Sequence, residues 1–253
     1  KSRLKLKYNK IEDSYVVKGK GFSYKFNKKE FGLQSIKYQD KEYLMETLKL
    51  NFWRAPIDND FGAFKVDKRA KDSIYFEWRN AASVKKLVSF TKEKSKKGYV
   101  FTYTFEHPNI DSKNTITYTV DKQGVLTTHS KLNPSKKHNF KYMPRYGMTM
   151  AISKEYENVT YYGKGPYENY SDRNRGSRIG VYTSKVKDFY VPYIRPQENG
   201  NRTEVRIIKM LNEKNNGILI NGNKPLSFSA LNNPIKDFDP GNKKQQRHTT
   251  DIK

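Results

Sequence analysis

An alternation of period two runs through most of this chain and constrains its fold more than any other feature. In Gly98-Tyr99-Val100-Phe101-Thr102-Tyr103-Thr104-Phe105 every residue after the glycine is aromatic or β-branched. Such side chains are stiff at χ1 and pack well on a pleated surface, so the segment reads as a strand. Thr115 to Val120 reads likewise, followed by Asp121-Lys122-Gln123-Gly124 as a turn and Val125 to Thr128 as the return strand. That is a hairpin with its turn chemistry in place. Gly21–Phe26 and Gly32–Tyr38 form a second predicted pair, and Val205–Met210 and Gly217–Ile220 a third. Helical spacing is sparse; the best stretch, Asp67 to Ala82, mixes Ile74, Phe76 and Trp78 with charges and predicts one helix. Short strands with turn signals at intervals of about 8–12 residues indicate an all-β antiparallel sandwich or barrel. Folds of this kind reach about 200–250 residues as one unit, so residues 1–253 are expected to form a single domain.

Composition decides what such a sheet protein could bind. Only 35% of residues are apolar, but 19 Tyr, 14 Phe and 2 Trp can build a core. The net charge of +24 invites a nucleic-acid reading. Against it, 38 of the 50 basic residues are Lys and only 12 are Arg, the residue whose fork reads bases and phosphates. The lysines are scattered, often at alternating positions as in Arg3-Leu4-Lys5-Leu6-Lys7-Tyr8, and the clusters at 92–97, 136–137 and 243–244 are short. No nucleic-acid partner is expected. No apolar run approaches the roughly 20 residues of a spanning helix, so no membrane partner is expected either. Without cysteine there is no disulfide, thiol nucleophile or Cys-ligated metal, and cytoplasm and periplasm fit equally. The chain opens on Lys1 with no secretory pattern, and is expected to be a piece of something longer.

Three stretches break the alternation. In Asn51-Phe52-Trp53-Arg54-Ala55-Pro56-Ile57-Asp58-Asn59-Asp60-Phe61-Gly62 the arginine could pair with Asp58 or Asp60, the acidic cluster could hold a tight turn, and Gly62 could act as a pivot after it. In Tyr161-Tyr162-Gly163-Lys164-Gly165-Pro166-Tyr167-Glu168-Asn169-Tyr170-Ser171-Asp172-Arg173 two glycines and a proline impose an irregular path beside a polar group of Glu168, Asn169, Asp172 and Arg173. The third is Tyr193-Ile194-Arg195-Pro196-Gln197-Glu198-Asn199-Gly200. None is a nucleotide loop, for the Walker spacing is absent. Glycoside hydrolysis needs two carboxylates about 5–10 Å apart. Glu168, Asp172, Glu198, Asp58 and Asp60 qualify by type, yet each stands beside Arg, Asn or Gly, the usual company of a structural carboxylate. His107, His129, His138 and His248 show no metal spacing. Residue chemistry alone points to a binding or structural module.

Taken together, the motifs resemble a known family. Arg54-Ala55-Pro56-Ile57-Asp58-Asn59-Asp60 resembles the Arg-Ala-Pro-x-Asp-Asn-Asp signature of the C-terminal small-chain domain, the fifth domain, of glycoside hydrolase family 2 β-galactosidases. Met143-Pro144-Arg145-Tyr146-Gly147-Met148, the Gly163–Arg173 segment and Tyr193–Gly200 are similar to three further family motifs, in the same order. The resemblance implies a large antiparallel super-sandwich like that of galactose mutarotase. It implies that both catalytic glutamates and the magnesium belong to a preceding (β/α)₈ barrel that this chain lacks. The fragment alone is then expected to be inactive and to hold no cofactor, with magnesium and sodium used by the parent.

The resemblance also assigns a substrate-edge loop, with Gly62 as hinge and Ala63, Phe64 and Lys65 as lip; the family carries a carboxylate where Lys65 stands. Arg54, Asp58, Asn59, Asp60, Glu168, Asn169, Asp172, Arg173, Glu198 and Asn199 become structural motif residues. The family's Gly-Asp-x-Ser-Trp segment, whose Trp stacks on the sugar, has no counterpart here; Trp53 and Trp78 do not align with it, and the C-terminus is expected to lack a few strands. The implied partners are the parent's barrel, a galactoside in the full-length enzyme and further copies of a homo-oligomeric parent. The alternatives are a free-standing aldose mutarotase or epimerase, for which His129 or His138 with Glu168 or Glu198 are the nominal acid–base pairs, and a sugar-binding module.

Overall fold

A computed structural model describes residues 4–28, 32–63, 77–134 and 143–239. Among them fifteen strands form antiparallel sheets, and helices are limited to single turns or little more, so the chain is all-β. The described residues divide into two compact units, 4–53 with 77–153, and 54–63 with 154–239.

In the first unit, β1 (Lys5–Asn9), β2 (Ser14–Lys18), β3 (Phe22–Asn27), β4 (Gly32–Tyr38) and β5 (Lys41–Glu42) make a five-stranded meander. A short β6 (Lys49–Asn51) follows. Next come β7 (Lys86–Lys94), β8 (Gly98–His107), β9 (Ser112–Asp121) and β10 (Leu126–Asn133), a second sheet in the order β10-β9-β8-β7. Finally β11 (Gly147–Thr149) returns to pair with β6.

Alternation does what the sequence led one to expect. Phe101, Tyr103 and Phe105 of β8 are fully buried on one face. Phe101 stacks on Phe26 of the other sheet at 4.1 Å, and Tyr118 tilts against Phe26 at 5.5 Å. Two phenols bridge the layers, Tyr103 donating to the Asn27 carbonyl at 3.2 Å and Tyr24 to the Gly124 carbonyl at 2.6 Å. Sheets packed face to face through buried aromatics make this unit a β-sandwich, each ring contributing about 1.5–3 kcal/mol of transfer free energy. Burial, with Asp121 nearby, raises the Tyr24 phenol to about 12, and burial raises Tyr103 and Tyr118 further.

The predicted Asp121–Gly124 turn joins β9 to β10, with Asp121 Oδ1 accepting from the Gln123 and Val125 amides, both at 2.9 Å. Of the helix predicted over Asp67 to Ala82, one turn, Glu77–Ala81, lies within the described residues. Its Trp78 is buried and meets Phe52 edge-on at 6.0 Å, a packing role. The Met143–Met148 motif leads into β11, and its Tyr146, just before that strand, lies parallel to Phe52 and donates or accepts at Ser130 Oγ (2.6 Å).

In the second unit α1 (Asp58–Ala63) precedes a four-stranded sheet of β12 (Asn158–Gly165), β13 (Arg178–Lys185), β14 (Arg202–Leu211) and β15 (Gly217–Phe228), in the order β13-β12-β14-β15. One face packs Val159, Tyr161, Val205 and Ile208 against Val186, Phe189 and Ala230. One expectation needs correcting: Tyr161–Gly165 is no irregular loop but the last five of the eight residues of β12, an inner strand of the sheet. The glycine that suggested a loop is required by close approach, since a Cβ on Gly163 would stand 2.8 Å from the Val205 Cα on the next strand. Irregularity begins only at the cis Gly165–Pro166 bond.

Candidate functional site

The polar motifs of the second unit fasten to one another, and each bond can be traced to a residue type. Arg54 grips Asp60 with both arms of its fork, Nη1 on Oδ2 at 2.7 Å and Nη2 on Oδ1 at 2.8 Å. Asp60 Oδ2 also accepts the Ile57 amide at 2.8 Å. Ile57 precedes the first helical residue and Asp60 is the third, so this is the carboxylate half of a capping box and starts α1 where it does. Asp60 is 4% exposed, so the charge-assisted fork replaces the water it gives up. Of the two partners the sequence allowed for Arg54, the structure selects Asp60. Asp58 is exposed and lies 3.6 Å from Arg195, which ties the first motif to the third by a solvent-screened ion pair.

Glu168 is the hub of the second and third motifs. Its Oε1 accepts from the Arg173 guanidinium and the Tyr193 phenol, both at short range. Its Oε2 accepts the Gly200 amide at 2.6 Å and the Tyr170 phenol at 3.4 Å. Gly200 can present that amide because it sits at φ +77°, a region closed to most side chains. A carboxylate offers about four lone-pair sites, and here four donors meet them. Burial, with Glu198 and Glu168 close by, pushes the Tyr170 phenol well above its ordinary value. Tyr193 is raised by burial and by the bond it donates to Glu168. Both phenols therefore stay protonated at neutral pH and serve as donors.

Asn169 is equally saturated and fully buried. Its Nδ2 donates to the Lys164 carbonyl at 3.1 Å and the Tyr167 carbonyl at 2.9 Å. Its Oδ1 accepts the Thr203 amide at 2.9 Å and the Thr203 hydroxyl at 2.6 Å. The amide and carbonyl of Asn169 pair with the Asn201 carbonyl and side chain. Next to it Arg202, 4% exposed, donates to Tyr161 Oη at 3.1 Å and to the Gly200 and Asn201 carbonyls, with its guanidinium 4.6 Å over the Phe189 ring.

The structure thus joins Arg54 with Asp60, Asp58 with Arg195, and Glu168 with Arg173, and it buries Asn169, Glu198 and Asn199; Asn199 Nδ2 donates to the Gln197 carbonyl at 3.2 Å. Asp172 and Asn59 are exposed and stand apart from this network. Gly62 and Ala63 fall in the last turn of α1, while Phe64 and Lys65 lie outside the described residues. Of the nominal histidines, His129 lies on β10 of the first unit, and His138 and His248 lie outside the described residues. Sequence reasoning missed Arg202 and Thr203, and gave Tyr161, which opens the second motif, no role of its own. The available signal was an arginine at the start of an apolar strand, just after an Asn-Gly-Asn run.

Chemically, Asp60 and Glu168 are committed. Their oxygens are occupied by guanidinium, phenol and amide donors, which tie together distant parts of the chain path. Among the described residues no group of three or more His, Asp or Glu converges as a metal site.

The model of the β-galactosidase small chain family matches residues 18–253. The chain belongs to that family. Relatives include the β-galactosidase of Priestia megaterium, 30% identical over 228 residues that make up 90% of this chain and 21% of the relative. That of Lactobacillus delbrueckii subsp. bulgaricus is 32% identical over 216 residues, 85% of this chain and 21% of the relative. That of Halalkalibacterium halodurans is 34% identical over 209 residues, 80% and 20% respectively. The chain spans about a fifth of the length of these curated relatives.

Proposed function

We propose that this chain is the non-catalytic C-terminal domain of a β-galactosidase of glycoside hydrolase family 2, built as a galactose mutarotase-like super-sandwich. The single observation that carries the reading is the small-chain match over residues 18–253. The saturated carboxylates support it, because they look after the chain's path and leave hydrolysis to groups elsewhere. In this reading the parent cleaves terminal β-D-galactosides with retention, through a covalent glycosyl-enzyme formed by two carboxylates about 5–5.5 Å apart. Both belong to a barrel outside this chain, as does the magnesium; sodium too is ascribed to the parent, a homo-oligomer.

The contribution of this domain is an edge to the galactose pocket. Gly62, in the last turn of α1, acts as the hinge and Ala63, Phe64 and Lys65 as the lip; the start of α1 is fixed by the Asp60–Ile57 capping bond and the Arg54–Asp60 fork. A lid needs one fixed end and one that yields, and the fork with its capping bond supplies the fixed end.

The test is hydrolysis of a chromogenic β-galactoside by the 253-residue chain beside the longer parent. An active parent and a silent chain are expected. Turnover by the chain itself would overturn the reading and return Glu168, Asp172, Glu198, Asp58 and Asp60 to consideration as acid and base.

A further inference from the structure

The sheet of the second unit carries apolar side chains on both faces. Its inner face carries the core described above. On the outer face the register aligns Val181, Tyr162 and Ile207 as neighbours on β13, β12 and β14. Ile179 lies two residues from Val181 on the same strand and same face, and Leu219 of β15 sits beside Lys209, one row from Ile207. Val181 is 71% exposed and Leu219 63%, with Ile179, Tyr162 and Ile207 exposed too. Scattered exposed aliphatics are ordinary, but here three lie side by side on adjacent strands about 4.8 Å apart, with Ile179 and Leu219 one row away, and together they form an apolar patch.

Cations outnumber carboxylates around the patch, although Arg206 stands 4.0 Å from Glu204 and Lys185 pairs with Glu157 at 2.8 Å. Lys164 and Lys209 share the face, and Arg206 lays its guanidinium 5.6 Å from the Tyr162 ring centre. Arg178 and Lys185 close the two ends of β13, and the only acidic residue on the four strands is Glu204. A second copy of this chain is a poor occupant, because each copy carries +24 and would bring cations against cations. The fitting occupant is apolar at its centre and carboxylate-rich at its rim. Because the relatives are about five times as long as this chain, such a surface is available in the same polypeptide.

We infer that the outer face of the β13-β12-β14-β15 sheet docks against an acidic-rimmed apolar surface of the remaining part of the longer β-galactosidase polypeptide. The inference rests on the proposed function in requiring that polypeptide. It goes beyond it in naming the surface and the chemistry of what covers it.

The chain has no cysteine, so a single introduced thiol reports the face cleanly. Val181→Cys and Leu219→Cys are made in the 253-residue chain and in the longer polypeptide, and the rate of labelling by a small maleimide is measured above the background of each parent. Labelling in denaturant counts the introduced thiols. Both positions are solvent-exposed here, so neither substitution disturbs the core. Labelling at least tenfold slower in the longer polypeptide than in the chain is expected. Equally fast labelling in both overturns the inference, even if the longer polypeptide hydrolyses galactosides. Slow labelling already in the 253-residue chain, with a doubled sedimentation mass, also overturns it, because a second copy is then the occupant. Hydrolysis is assayed separately on the longer polypeptide without the substitutions; protected thiols in a polypeptide that cleaves no galactoside leave the docking face standing and remove the functional reading alone.

Discussion

Asn169→Ala deletes four hydrogen bonds at a position with no exposed surface. The Thr203 amide then points at a methyl group, and a buried donor without a partner costs about 1–3 kcal/mol. The Lys164 and Tyr167 carbonyls each lose a bond worth roughly 0.5–1.5 kcal/mol net, while the Thr203 hydroxyl can rotate toward another acceptor. The expected loss is about 3–4 kcal/mol, a large share of the roughly 5–15 kcal/mol that holds a domain folded. Asn169→Asp keeps the shape but turns the donor end into a second acceptor facing two carbonyls. At pH 7 it should cost more than alanine. The site favours the neutral form of the introduced carboxyl, so its folded pKa stands above its unfolded one and the folded state binds more protons between the two. The penalty is therefore full above the folded pKa and shrinks as pH falls through it. Urea unfolding by far-UV circular dichroism, with hydrogen exchange on peptides covering 158–173 and 200–211, measures both. Tryptophan fluorescence would not serve, since Trp53 and Trp78 both belong to the first unit. An Asn169→Ala chain within about 0.5 kcal/mol of wild type, or an aspartate variant no worse than alanine at pH 7, would refute the account.

Arg54→Met leaves the buried Asp60 carboxylate with the Ile57 amide and no guanidinium, and should cost about 3–5 kcal/mol; Arg54→Met with Asp60→Leu should recover part of it in the same urea assay. Burial holds His107 below the ordinary histidine value while its Nδ1–H donates to the Ala81 carbonyl at 2.6 Å. The unfolded chain protonates first, so stability should fall as pH drops below about 6.5; His107→Asn should flatten the difference between urea midpoints at pH 7 and pH 5, read by tryptophan fluorescence. Tyr24 sits at about 12, so stability should decline as pH rises past 10, where only the unfolded phenol ionises. Tyr24→Phe should lessen that slope, and phenolate absorbance should show a late-titrating set containing Tyr24, Tyr103, Tyr118 and Tyr170.

What could be read from the residues was what neighbours in sequence decide. The Asp121–Gly124 hairpin, β8 and the β3–β4 pair follow from alternation and turn chemistry, and the structure has them. The charged β7, the short β2 and β12 were not legible. Lys86–Lys94 is an edge strand whose charges face water, and Gly163 and Gly165 look like loop residues until Val205 and Tyr182 are seen pressed against them. At the site, Arg54 had two acidic partners in sequence range, and only the helical turn after Ile57 selects Asp60. The donors on Glu168 come from positions 170, 173, 193 and 200, so no local pattern announces them. Arg202 was missed because its acceptors are mostly carbonyls, which every residue has.

The order in which the chain visits its two units has a consequence for synthesis. Residues 54–63 belong with 154–239, yet the segment translated between them belongs mainly to the other unit. On the ribosome Asp58 emerges about 140 residues before Arg195, its partner at 3.6 Å, a wait of roughly 7–30 s at 5–20 residues per second. The Arg54–Asp60 fork spans six residues and can close as soon as it leaves the exit tunnel. It can thus keep the waiting segment in shape, with its charges matched, until the strands it belongs with have been made.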